Sequence, residues 1–199
     1  MATIGPLSPS TIVDSDDVGT VAWATPENAG VSDDVYATFS AGTTNIQENS
    51  ARIVKGGIIS GNEKSTSTGM STATAIHQRG GANDLWGLAW ISSDINATDF
   101  GFVHSWLGFG TNVSHYLKAT NFGFSIPTGA IINGILVEVE TDRISSTGRI
   151  DHIRITVYYK EAKVSAPPSQ IQSTPELSTT NIPVMARLAG VKFNERPYQ

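Results

Sequence analysis

The residues able to do chemistry are few. The four histidines, His77, His104, His115 and His152, include no pair with the close spacing of a helix-borne zinc motif, and only His104 and His152 are candidates to approach across strands. Asp14, Asp16 and Asp17 crowd into one short stretch. Calcium takes six to eight oxygen ligands from an organised loop, and no Asp-x-Asp-x-Asp-Gly pattern follows, so a solvated turn is the expectation. Asp33 and Asp34 lie beside turn residues and lack the setting of a glycosidase carboxylate pair. With no cysteine there is no thiolate nucleophile, disulfide or cysteine-bound zinc. No nucleophile elbow, P-loop or dinucleotide fingerprint is present. These readings assign no catalytic residue, no metal and no cofactor, and the expectation is a protein that is not an enzyme.

Aromatic side chains offer a different chemistry. Sugars stack on exposed indoles, and Trp86, Trp90 and Trp106 with Tyr158 would suit a glycan platform if they shared a solvent-facing surface. Large aromatics in β-rich folds more often fill the core, which is the simpler reading of Trp86 and Trp90 and the one we take for Trp23.

The elements that would position these residues are strands. Ile131, Ile135, Val137 and Val139 fall on odd positions while Glu138, Glu140 and Asp142 fall on even ones, the period of a half-buried antiparallel strand. The approach to it, residues 119–126, reads as a second strand reaching a corner at Pro127-Thr128-Gly129. In the run RIDHIRITVYYK, Ile153, Ile155 and Val157 form one face and His152, Arg154, Thr156 and Tyr158 the other. We expect this to be a central strand paired with the first run, so that Val137 and Ile155 share a core layer. Phe100, Phe102, His104 and Trp106 alternate onto one face of another strand, either core or one sheet surface of a partner site, and a β-branched run from Ala51 ends on Gly56 and Gly57 at a bulge or tight turn. The tract Ser65 to Thr74 is either an exposed edge strand or a loop.

Composition agrees. Only 16% of residues are charged, 19 are glycine, and 39% hydrophobic content suffices for one sizeable core. The expectation is an all-β, antiparallel β-sandwich of jelly-roll-like type at residues 18–162. Residues 1–17 are read as an N-terminal arm or first edge, and residues 163–199 as an extended C-terminal arm. A net charge of -5 argues against a nucleic-acid partner. The sequence shows neither a signal peptide nor a membrane-spanning run, so synthesis in a cytoplasm is expected.

The arm holds five of the nine prolines and no sustained period, so it cannot build a core of its own. Apolar residues nevertheless recur along it: Ile171, Leu177, Ile182, Val184, Met185, Leu188, Val191 and Phe193, with Tyr198 near the end. Burying a side chain of this kind on a neighbour contributes roughly 1.5–3 kcal/mol before ordering costs. That suits a clamp.

Four segments, WATPENAGVSDDVYAT, GGANDLWGLAWISSDINATDFG, LKATNFGFSIPTGAIINGILVEVE and RIDHIRITVYYK, covering about half the chain, resemble a family of jelly-roll-like β-sandwich proteins found among tailed-bacteriophage structural genes. In this chain the piece from Ala51 to Trp106 precedes the FGFSIP block rather than following it, so the resemblance carries no strand order. It implies a virion component assembled in the host bacterial cytoplasm, with no catalytic residues. The expected role is a capsid decoration protein, a homo-oligomer with a trimer favoured, binding the major capsid protein or other virion proteins through the arm. A tail- or fibre-associated glycan-binding module and a neck or tail connector are the alternatives.

Overall fold

The computed structural model describes residues 1–162. Ten strands form two antiparallel sheets: β1 (Ala2–Leu7), β2 (Thr11–Ser15), β3 (Ala37–Ser40), β4 (Gln47–Lys55), β5 (Ile58–Ser60), β6 (Ala75–Gly81), β7 (Gly101–Leu107), β8 (Tyr116–Thr120), β9 (Ile131–Ile144) and β10 (Thr147–Lys160). One sheet has the order β1-β10-β9-β6, with β3 beside the start of β10, and the other the order β2-β8-β7-β4-β5. A 3-10 turn (Pro26–Ala29) and one short helix, α1 (Ser92–Asn96), complete the described elements. The β-sandwich expectation holds.

The long hairpin β9–β10 is the frame of the first sheet. Val137 pairs directly with Ile155, and both are fully buried, as the alternation requires. β10 is bonded to β9 along one side and to β1 and β3 along the other, so it is central.

Ile131 and Asp142 depart from simple alternation, each for its own reason. The register slips between Tyr158 and Tyr159, where Gly134 and Ile132 face successive partners and Asn133 is the extra residue. A one-residue bulge reverses which side chains face inward. Ile132 is therefore buried and Ile131, expected in the core, is 62% exposed. The second slip leaves Asp151 unpaired between Ile150 and His152. Asp142, expected in water, is buried because Arg149, its register partner, covers it in a two-pronged ion pair and lies 3.9 Å from the Tyr36 ring centre.

Residues 1–17 are an edge of each sheet rather than an arm: β1 pairs with β10, and β2 with β8. Pro6, which cannot donate to a ladder, sits where β1 loses register, on an edge. The approach to the corner is also corrected. β8 ends at Thr120, and residues 121–130 cross to the other sheet without ladder bonds while Phe122, Phe124 and Ile126 alternate into the core. Gly56 and Gly57 both have positive φ, the requirement of a tight hairpin turn of the β4–β5 kind. The Ser65 to Thr74 tract is a loop that meets β4 through a bridge between Gly69 and Gln47 and through hydrogen bonds of Thr66 and Thr68 to Glu48.

Candidate functional site

Trp86, Trp90 and Trp106 are interior residues. The indole N–H of Trp86 donates to the Ile135 carbonyl at 3.0 Å and its ring meets Phe102 edge-on, with no exposed surface. Trp90 donates to the Leu85 carbonyl at 2.9 Å, packs edge-on against Phe100 and is 9% exposed. Trp106 is fully buried, with the His104 and His77 rings at 4.8 and 5.5 Å. Tyr158 lies half-buried on β10, opposite Gly134 and Thr3. The four expected platform residues thus share no surface, and burial of the three indoles removes the basis of a sugar-stacking site. The arm residues Ile171, Leu177, Ile182, Val184, Met185, Leu188, Val191, Phe193 and Tyr198 lie outside the described residues.

The histidines separate into four settings. His104 and Glu48 are in the core, with His104 Nε2 2.6 Å from Glu48 Oε1. Arg79 of β6 reaches across from the other sheet and grips Glu48 with Nε, 3.1 Å from both carboxylate oxygens. The Thr66 backbone N–H adds a 2.6 Å bond. Burial alone would raise the Glu48 pKa, but the bonds and charges of His104 and Arg79 and the Thr66 amide outweigh it, holding the carboxyl at about 2. Sequence reading missed this inter-sheet tie because Glu48 and Arg79 are 31 positions apart and each looks like a surface charge. His77 is 7% exposed, and burial followed by the charges of His104 and Arg79 lowers its pKa.

His115 Nδ1 is 2.9 Å from Asp14 Oδ2, while Asp14 Oδ1 accepts the Trp23 backbone N–H, so one of the three clustered aspartates is a structural acceptor. His152 Nε2 lies 2.8 Å from Ser8 Oγ, the spacing of a nucleophile and its base. Among the described residues no carboxylate hydrogen-bonds the other ring nitrogen, so the third, orienting member of such a constellation is missing from that contact. His104 and His152 do not meet. No group of three or more His, Asp or Glu side chains among the described residues could hold a metal ion.

A cleft of about 630 Å³ opens at the end of the sandwich where β10 finishes. One wall is Trp90, Ile91 and α1, the other Thr128 to Ile131. Asn96 joins the walls: its side-chain amide donates to the Ile126 carbonyl at 2.9 Å and accepts the Ile126 N–H at 2.8 Å, fixing the corner segment against the helix. Asp94 fixes the start of the helix, accepting the Ile91 N–H at 3.0 Å and pairing with Lys55 at 3.0 Å. Lys55 in turn donates to the Ala89 carbonyl at 2.8 Å and lies over the Trp90 ring. The walls are therefore tied together and to β4 by side-chain bonds, and the lip is apolar, with Ile91 61% and Ile131 62% exposed. The bulge at Asn133 puts Ile131 there. Lys160 pairs with Ile131, and a methyl on Gly129 would lie 3.4 Å from Ala162 Cβ, so the chain passes the lip as it leaves β10. The lining is mainly apolar, with Ser92, Ser93, Asn96 and Thr128 as polar fringe.

No protein-family model matches the chain, and neither a curated protein nor a solved structure matches it.

Proposed function

We propose that this protein is a non-enzymatic structural component of a bacteriophage virion, a capsid decoration protein that sits on the shell and holds its neighbours through residues 163–199. The observation that carries the reading is the course of β10. The strand bonded on both sides within its sheet ends at Lys160, and only Glu161 and Ala162 separate it from the 37 residues of the arm. A clamp needs such an anchor, because load on the arm must reach the body without peeling an edge. The motif resemblance supports the virion setting, and the recurring apolar residues of the arm support attachment to protein. Copies arranged as a symmetric oligomer, with a trimer favoured, would add several weak arm contacts into firm attachment. With its indoles buried, the body provides no observation favouring glycan recognition.

The test is decoration of capsids that lack this protein by the full chain and by a chain ending at Ala162. Full-length protein is expected to bind at fixed stoichiometry and the shortened one to be lost on sedimentation. Full occupancy by the shortened chain would overturn the proposal.

A further inference from the structure

We propose that the cleft between α1 and Thr128–Ile131 is the receptor for the arm of a second copy of this chain, and that the segment it takes is Ile182 to Leu188. The cleft is formed within the body, its walls joined by Asn96, its lip presents two isoleucines to water, and its fringe carries hydroxyl groups that can bond a backbone. An apolar recess with an exposed aliphatic rim fits one or two aliphatic side chains on an extended strand.

Within residues 163–199, Ile182, Val184, Met185 and Leu188 form the densest apolar run, and Pro183 biases Ile182 toward an extended backbone. Reach decides whether a second copy is accessible. The chain from residue 163 to Ile182 is twenty residues long. Extended, it spans up to about 70 Å. A 162-residue body has a radius of gyration of about 15 Å, so its neighbour's cleft lies within that span. Because each chain leaves its body beside its own cleft, copies arranged about a symmetry axis with these ends together can pass each arm to the next copy over a short path, closing the ring in a trimer. The exchange repeats the contact once per copy in one symmetric arrangement.

The inference rests on the arm being a clamp, as in the function proposed above, but not on the virion, so its test uses purified protein and fails separately from capsid binding. The chain has no cysteine, which makes introduced thiols unambiguous. Full-length Ser93→Cys protein, with its thiol on the cleft wall, is mixed with full-length Val184→Cys protein under mild oxidant. The expected result is a disulfide-linked pair of unlike chains, roughly tenfold in excess over a mixture using Ser145→Cys at the opposite end of the sandwich. Ile131→Asp, a change at an exposed position, is expected to abolish the excess while circular dichroism stays unchanged. Cross-linking no greater than the Ser145 control overturns the proposal. So does a Ser93→Cys, Val184→Cys double variant whose disulfide closes only within one chain, or cross-linking that Ile131→Asp leaves intact.

Discussion

Glu48 and Arg79 join the two sheets through their interior, a carboxylate on β4 gripped by a guanidinium on β6 with almost no exposure of either group. Two charges removed from water at such cost hold together only when both are present. Arg79→Met is therefore expected to destabilise the fold by about 3–5 kcal/mol, since it leaves Glu48 charged and short of a partner. Urea denaturation would measure this. Combining Arg79→Met with Glu48→Leu is expected to cost less than the two single changes added together.

The same carboxylate sets an acid limit. Its folded pKa of about 2 lies below the ordinary 4.5, so its contribution is complete above 4.5 and is lost as the pH falls toward 2. Across that interval the stability of Glu48→Gln is expected to fall less steeply than that of the wild type, although the variant is weaker at neutral pH. Parallel curves would show that other groups control acid unfolding.

Asp151 has the opposite sign. Burial first, and the nearby charge of Glu140 after it, raise its pKa, and one carboxylate oxygen lacks a partner among the described residues. A raised folded value means that the native state favours the proton, so stability is lost as the pH rises through that value. Asp151→Asn removes the charge at nearly constant shape. It is expected to melt above the wild type at pH 7 to 8 and to converge with it in acid.

All four tryptophans are at most 9% exposed. Acrylamide is expected to quench native fluorescence several-fold less than that of the urea-unfolded chain. Trp86→Ala is expected to cost about 3–5 kcal/mol through lost packing and the cavity it leaves. An exposed fluorophore fraction in the native protein would contradict the interior placement.

Gly80 supports that same indole. Its φ is +78°, and a methyl there would approach the Ile135 carbonyl oxygen at 2.1 Å and Trp86 Nε1 at 2.7 Å. Gly80→Ala is expected to lower the unfolding free energy measured in urea by about 2 kcal/mol or more, whereas Gly81→Ala, with open space around it, is expected to be far milder.

The periodic parts of this fold were legible. Val137 opposite Ile155, the shared face of Phe100, Phe102, His104 and Trp106, and a break at Gly56-Gly57 follow from local chemistry and a period of two, whereas the structure decides that this face is core and the break a hairpin turn. Ile131 and Asp142 were misplaced because a bulge and a covering arginine are properties of a partner strand, which a pattern along one strand does not encode. Residues 121–130 looked like a strand because an extended crossing that buries every second side chain has the same period without the ladder. The cleft was less visible still. Its walls come from α1 and the corner, joined by Asn96, whose amide reads as an ordinary loop residue until Ile126 is seen beside it.

The placement of β10 has a mechanical consequence. A tug on residue 163 along the axis of this strand enters the body at the middle of a sheet, across the cross-strand bonds linking β10 to β9 and β1. Bonds lying across the pull share the load and must yield together, whereas an edge strand would unzip one bond at a time. Stretched in a force spectrometer by its C-terminus along that axis, the body is expected to resist like a shear joint rather than a zipper.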